Sequence, residues 1–499
     1  MQAGYKVEGN KKIEFNNNVD YCVGTGRMGL ALQKEYMEQL KEVQNEIGFK
    51  HIRGHGLFSD DMAIYHEYKD ENDEIKIEYN FTYLDLVMDN YMSVGIKPFI
   101  ELGFMPKKLA SGEQTIFYWK GNTTPPRDYG LWCDLIVATL SHLMERYGKD
   151  EVVTWPVEVW NEPNLPGFWK DADMEEYFVL FEHSFNAIKK LDERFKIGGP
   201  AICGVQDEKY MTMFMDFISK KGLKVDFITR HHYTSEPPEF KGHYGYIELV
   251  ELNESLKTLN DSRRIIDSYP EYRGAQMHIT EFNTSYIPNA PVHDTNQNAA
   301  YTASLLGRLG ETSESYSYWT FGDVFEEMGV PYTPFHGGFG MMANRCIRKP
   351  TFYAFKFFKM LTGDCVLKED NCIVCKDGDT YKGVIFNSRA KRTGEKLTLD
   401  LEFDADKNEY SLISQIVDED TCNPLKLWHA MGEPSSLDDE QVRLLRQSDK
   451  PLTVSNILSS KDGKVKASFD VNEFGLVFFE LKPYSVKPDR GYDYNRVIS

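Results

Sequence analysis

Cysteine is scarce in this chain, with eight in 499 residues. They stand far apart, at Cys22, Cys133, Cys203, Cys346, Cys365, Cys372, Cys375 and Cys422. Such thin spacing excludes a disulfide scaffold and reads as reduced, mostly buried thiols in a cytoplasmic protein. The one close pair, Cys372-Ile-Val-Cys375, has no second pair or histidine at metal-ligand spacing. It reads as structural, on a strand that turns at Lys376-Asp-Gly-Asp-Thr-Tyr and returns through Val384-Ile-Phe. No apolar run reaches the roughly 18 residues of a membrane span. The first ten residues hold no apolar signal core. Basic charge is also short: 57 Lys and Arg stand against 77 Asp and Glu, a net charge of −20. That excludes a general DNA- or RNA-binding role, which needs clustered cations, and adhesion to anionic membranes. No G-x-G-x-x-G or G-x-x-x-x-G-K-[ST] follows a strand, which removes the main nucleotide-binding folds.

Aromatic residues, by contrast, are abundant. They make up 13% of the chain, as 29 Tyr, 31 Phe and 7 Trp. Most must fill core; a minority in a pocket would suit the apolar face of a sugar ring. The length calls for two or three domains. Eight apolar runs of strand length occupy the first two-thirds, each followed by helical periodicity. They are Tyr21-Cys-Val, His51-Ile-Arg, Pro98-Phe-Ile-Glu-Leu, Val157-Glu-Val-Trp, Lys196-Ile-Gly-Gly, Asp226-Phe-Ile-Thr, Met277-His-Ile-Thr and Tyr316-Ser-Tyr-Trp. Amphipathic helices are expected over 28–46, 131–147 and 173–191 between them. The fold class is therefore α/β, a (β/α)8 barrel over 15–345.

Past residue 350 one last helix gives way to short strands separated by turns, which predicts a β-sandwich over 346–499. A capped helical insert is expected near 436–450. Alternation over 3–14 predicts an N-terminal strand that joins the sandwich.

Barrel chemistry sits at the C-terminal ends of strands. The fourth run ends Trp160-Asn-Glu-Pro-Asn and the seventh ends Ile279-Thr-Glu-Phe-Asn. Glu162 and Glu281 would thus face one mouth from opposite sides. Two carboxyl groups across a pocket are what glycosidic cleavage needs: one protonates the departing oxygen, the other attacks the anomeric carbon or activates water. Pro163 should bias Glu162 toward an extended backbone, and Asn161 sets an amide beside it.

These stretches resemble the retaining glycosidases on (β/α)8 barrels, and more narrowly glycoside hydrolase family 39 and its bacterial β-xylosidases. The resemblance rests on Arg53-Gly-His-Gly-Leu, Pro98-Phe-Ile-Glu-Leu-Gly-Phe-Met-Pro and Trp160-Asn-Glu-Pro-Asn-Leu-Pro-Gly-Phe-Trp. Arg230-His-His-Tyr-Thr, Thr280-Glu-Phe-Asn-Thr-Ser-Tyr, Tyr318-Trp-Thr-Phe-Gly-Asp-Val-Phe-Glu-Glu and Pro334-Phe-His-Gly-Gly-Phe-Gly complete it. It covers the whole barrel and is thinner over the sandwich. It implies an exo-acting β-xylosidase on xylo-oligosaccharides, with Glu162 as acid/base, Glu281 as nucleophile and Asn161 on the sugar 2-hydroxyl. It also implies a homo-oligomer, possibly a tetramer. His55, Phe168, His231, Tyr233, Tyr286, Trp319 and Glu326 are the expected substrate-binding residues, with Glu326 favoured over Glu327 and His232 read as structural. No metal or cofactor is expected. The alternatives are the same chemistry on an α-L-iduronide or β-glucoside, or a non-catalytic carbohydrate-binding protein. A basic residue in the pocket would favour the uronide; Arg230 and Arg345 are the candidates.

Overall fold

A computed structural model describes residues 1–485 and 491–498. The expected sandwich span takes in 486–490 and 499, which lie outside the described residues. The eight runs form parallel strands that close into one barrel. They are β1 (Cys22–Arg27), β2 (His51–His55), β3 (Lys97–Leu102), β4 (Pro156–Val159), β5 (Lys196–Ile202), β6 (Phe227–Tyr233), β7 (Gln276–Asn283) and β8 (Ser315–Tyr318). Each pairs with its sequence neighbour, and β8 closes onto β1 through Tyr318 opposite Val23. Helices cover the outside, so the strands are buried on both faces and read as near-continuous apolar runs.

Helix ends follow local chemistry. Helix α1 (Lys34–Glu46) starts later than the expected residue 28, because Gln33 is extended and separates it from a short 3-10 turn over Met28–Leu32. Asp128 and Asp173 cap α3 (Tyr129–Tyr147) and α4 (Met174–Leu191) by accepting from backbone N–H groups of their first turns. The remaining outer helices are α2 (Thr82–Ser93), α5 (Asp207–Lys221), α6 (Leu252–Ser268) and α7 (Asn296–Leu306). The eighth, α8 (Pro350–Lys359), lies beyond the expected boundary at 345 yet packs on the barrel. The Phe355 ring lies 5.1 Å from that of Tyr318 on β8 and 6.3 Å from that of Phe282 on β7. The other side of the helix meets the sandwich, with the Phe357 ring 5.6 Å from that of Phe478 and the Phe358 ring 6.5 Å from that of Phe386, so the helix lies between the two domains. Three hairpins, over 65–79, 115–122 and 239–246, rise from the loops after β2, β3 and β6, all on the C-terminal face.

The second domain is a sandwich. Six antiparallel strands run in the order Asp364–Glu369, Cys372–Asp377, Thr380–Phe386, Leu476–Pro483, Glu409–Val417 and Leu452–Ser459. Facing them is a three-stranded sheet of Gln2–Val7, Leu397–Asp404 and Lys464–Val471. The N-terminal strand does join it, but in parallel, with Gln2 opposite Thr398 and Val7 opposite Phe403. Alternation sends Leu397, Leu399, Leu401 and Phe403 inward to Phe479 and Tyr381. The opposite face of the larger sheet lies on the barrel, where Cys375, Phe386 and Phe478 join the barrel core. Cys372 and Cys375 therefore point to opposite faces of one sheet. A spacing of three in a strand cannot aim two thiols at one ion. No helix among the described residues is long and apolar enough to cross a membrane.

Candidate active site

The mouth is organised from one buried guanidinium. Arg53, on β2, points into the barrel and is fully buried. Its Nε lies 2.5 Å from Glu158 on β4, one terminal nitrogen 2.9 Å from Glu101 on β3, and the other 2.7 Å from Glu281 on β7. It also donates to the Asn161 side-chain oxygen at 2.9 Å. Since a guanidinium only donates, the amide oxygen of Asn161 must face it, which turns the amide nitrogen toward the cavity that Asn161 lines. Thr280 donates to the second Glu158 oxygen at 2.9 Å. This layer fixes β2, β3, β4 and β7 to one another directly beneath the site.

Glu162 sits just past β4. Its backbone is left-handed, with φ 45°, as is that of Trp160, with φ 72°. The extended conformation expected from Pro163 is overridden. The Glu162 N–H donates to the Ala201 carbonyl at 3.0 Å, and the Trp160 indole N–H donates to the Phe168 carbonyl at 2.8 Å. A non-glycine residue in this region costs on the order of 1–3 kcal/mol, which the surrounding contacts must offset.

One oxygen of Glu162 lies 2.8 Å from His231 Nδ1, and the same nitrogen is 3.4 Å from Glu281. Glu281 accepts from Arg53 at Oε1 and from the Tyr233 hydroxyl at Oε2, each at 2.7 Å. The ligating atoms of Glu162, His231 and Glu281 all lie within 4.8 Å of one another. These donors could hold a divalent cation, in the same space a substrate would occupy. Burial raises the Glu162 pKa well above the ordinary carboxylate range, and repulsion from Glu281 raises it further. Burial, reinforced by the charge of Arg53, holds His231 well below the usual imidazole range, so the ring is neutral. Burial and the charge of Glu281 push the Tyr233 hydroxyl well above 10, which keeps it a donor.

Above these groups lies a cavity of about 460 Å³, within the usual range for a small-molecule site. Nearly all the expected binding residues line it: His55, Asn161, Phe168, Tyr233, Tyr286 and Trp319. His55 Nδ1 is 2.8 Å from Glu101, so it donates there and leaves Nε2 toward the cavity, 3.6 Å from Glu281. Its ring packs 4.7 Å from the Trp319 indole. Tyr286 is half-exposed at the rim, its ring edge-on to Tyr233 at 6.4 Å. His231 lies beneath, fully buried. His232, by strand alternation, points away from the cavity; burial holds it near pKa 3, so it is neutral.

One expectation is reversed. Glu326 turns to the surface, where Arg27 binds it at 2.6 Å and Gln33 at 3.0 Å. Its neighbour Glu327 lines the cavity, with an oxygen 3.9 Å from His55 Nε2. Arg27 at the end of β1 captures Glu326 and leaves Glu327 to the cavity. Burial raises the Glu327 pKa well above the carboxylate range, and Glu281 and Glu162 add to it. Arg230 faces outward to Asp207 and Ser262, and Arg345 pairs with Asp439. No Lys or Arg lines the cavity among the described residues. Sequence reasoning missed Arg53, Glu101, Glu158, Phe117 and Phe339. The first three had a signal, a charge set inside an apolar strand.

The family model described as glycosyl hydrolases family 39 matches residues 5–466. The chain belongs to glycoside hydrolase family 39. A β-xylosidase of Geobacillus stearothermophilus is 45% identical over 481 residues, 95% of each chain. Another, from Caldicellulosiruptor saccharolyticus, is 34% identical over 93% of each. The crystal structure of a monomeric β-xylosidase from Caulobacter crescentus superposes with a TM-score of 0.89. It is 31% identical, and the match covers 97% of this chain and all of that one. Family 39 membership makes the protein a glycoside hydrolase acting on carbohydrate, with both carboxyl groups in the cavity.

Proposed function

We propose that this family 39 enzyme is an exo-acting β-D-xylosidase that releases xylose from the non-reducing ends of β-1,4-linked xylo-oligosaccharides with net retention. The observation that carries retention is the closeness of Glu162 and Glu281, with one oxygen of each within 4.8 Å of the other. Retaining enzymes hold their carboxyl groups about 5–5.5 Å apart, and inverting ones roughly 6.5–9.5 Å, to leave room for a water. A cavity of about 460 Å³, floored by the Arg53 layer, suits a terminal sugar rather than the middle of a chain. The two β-xylosidases at 45% and 34% identity support the choice of sugar. Eight free thiols, seven of them buried, fit a reducing cytoplasmic setting.

In this reading Glu162 starts protonated, because burial and the charge of Glu281 disfavour its anion. It donates its proton to the glycosidic oxygen as Glu281 attacks the anomeric carbon. The leaving alcohol departs, and a glycosyl ester forms on Glu281. The ester carries no charge, so the repulsion that held the proton on Glu162 disappears. Glu162 then takes a proton from the incoming water, which attacks the anomeric carbon and frees Glu281. Neutral His231 holds Glu162 on its 2.8 Å contact throughout, and Asn161, braced on Arg53, meets the 2-hydroxyl.

A uronide is disfavoured, since its carboxylate would meet Glu327 and no lining cation. The test is a panel of 4-nitrophenyl glycosides differing only in the sugar. The β-D-xyloside should give the highest kcat/KM over the β-D-glucoside and α-L-iduronide, and NMR should show β-xylose as the first product. Faster turnover of another sugar would overturn the substrate, and α-xylose released first would overturn retention. Sugar binding with no turnover of any substrate would leave a carbohydrate-binding protein.

A further inference from the structure

The segment between β8 and α8, residues 322–349, forms one wall of the cavity through Glu327 and Phe339. It has little regular structure of its own beyond a two-residue pairing of Met342–Ala343 with Ile347–Arg348 and the 3-10 turn Asn344–Cys346 that joins them. Backbone hydrogen bonds between Thr320 and Phe339, Thr320 and Met341, and Asp323 and Met342 hold part of it, and a buried charge holds the rest. The Lys349 ammonium is fully buried, 2.6 Å from an oxygen of Asp294 and 2.6 Å from an oxygen of Asp323. It also donates to the Gly338 carbonyl at 2.8 Å. The second oxygen of Asp294 accepts from the Gly337 N–H, and that of Asp323 from the Gly340 N–H, both at 2.7 Å. Three groups thus clip the four residues 337–340 from both ends and the middle. Gly337 needs its φ of +74°, and a Cβ there would lie 2.4 Å from the backbone of Ala290.

The clipped residue Phe339 carries this order into the pocket. Its ring packs 5.3 Å from Phe325, which stands edge-on to Trp319 at 6.0 Å. From the far side, Trp428, on a short helix Pro424–Ala430 that precedes the capped helix Asp439–Ser448 between two sandwich strands, packs 5.5 Å from Phe335 in the same segment. A lone stabilising role would be served as well by apolar residues, because a buried ion pair is weak support for a fold.

We propose that Lys349 is a positioning residue, whose ion pairs with Asp294 and Asp323 set the Glu327–Phe339–Trp319 wall that grips the terminal sugar. The idea rests on the pocket reading above for what the wall binds. Hydrogen exchange of 322–342 and steady-state kinetics on a nitrophenyl β-xyloside test it in Lys349→Met, and in Asp294→Asn should the first fail to fold. Exchange in that segment should rise about tenfold, with KM up about tenfold and kcat within about threefold, the pattern of lost binding rather than lost chemistry. Lys349→Arg should restore part of both. A lower Tm with unchanged KM, or unchanged exchange, would overturn the proposal. If the wild type cleaves no xyloside, the proposed function falls, while the exchange data still decide whether the ion pairs hold the wall.

Discussion

The barrel and the sandwich bury different things. Inside the sandwich the packed residues are Val7, Leu397, Leu399, Leu401, Phe403 and Phe479. Inside the barrel, at the level of the mouth, they are Arg53, Glu101, Glu158, Glu162 and Glu281, also buried. Apolar burial contributes about 25 cal/mol per Å² without directional demands. A buried charge must be matched atom by atom, and removing one partner costs about 3–5 kcal/mol. A fold selected for stability alone would use the first kind in both places. The barrel accepts the second because glycosidic chemistry needs one carboxyl that holds its proton and another beside it that attacks.

This contrast breaks most sharply at Glu281. Glu281→Gly should lower kcat by at least about 10⁴-fold while the protein stays folded, and azide should restore turnover with an inverted product, seen by NMR. Glu162→Ala should cost roughly 10²–10⁴-fold on xylobiose, yet spare the first step with a good aryl leaving group. Identical behaviour of the two variants would refute the division of roles. In the sandwich the effect should run the other way. Phe479 is fully buried against Phe403 and Phe469, and Phe479→Ala should cost about 3–5 kcal/mol in denaturant unfolding with KM unchanged. A raised KM there would show that the sandwich supports the pocket more widely than through Trp428.

How much of this was legible in the sequence follows the same contrast. The barrel, the sandwich and both carboxylates were legible because strand-length apolar runs and strand-end acids are local signals. The Leu452–Ser459 strand was not, since it is an edge strand with almost every residue exposed and no alternation to reveal it. Helix α8 is legible as a helix, but its place is not: its rings meet Tyr318 and Phe282 of the barrel on one side and Phe478 and Phe386 of the sandwich on the other, contacts that no local pattern shows. The preference for Glu326 over Glu327 fails because the choice lies with Arg27, some 300 positions away in the chain. Lys349 gave no signal at all, as its two partners come together only when β7, β8 and α8 meet.

The smallest predicted effect is also the most specific test of Glu162. Its folded pKa is raised above the ordinary 4.5, so folding favours its protonated form. Below pH 4.5 the group is protonated in both states and imposes no penalty. As pH rises from there toward the folded pKa, the unfolded chain ionises while the folded one resists, and stability falls. Glu162→Gln keeps the shape and removes the ionisation. At pH 7 it should therefore be more stable than the wild type, by about 0.5–2 kcal/mol, and nearly inactive. The gain should shrink toward zero as unfolding is measured at pH 4. A gain that stays constant with pH would mean that packing, and not the retained proton, distinguishes this carboxyl. Loss of the alkaline limb of the kcat/KM profile on activated substrates in Glu162→Ala would tie the same proton to catalysis.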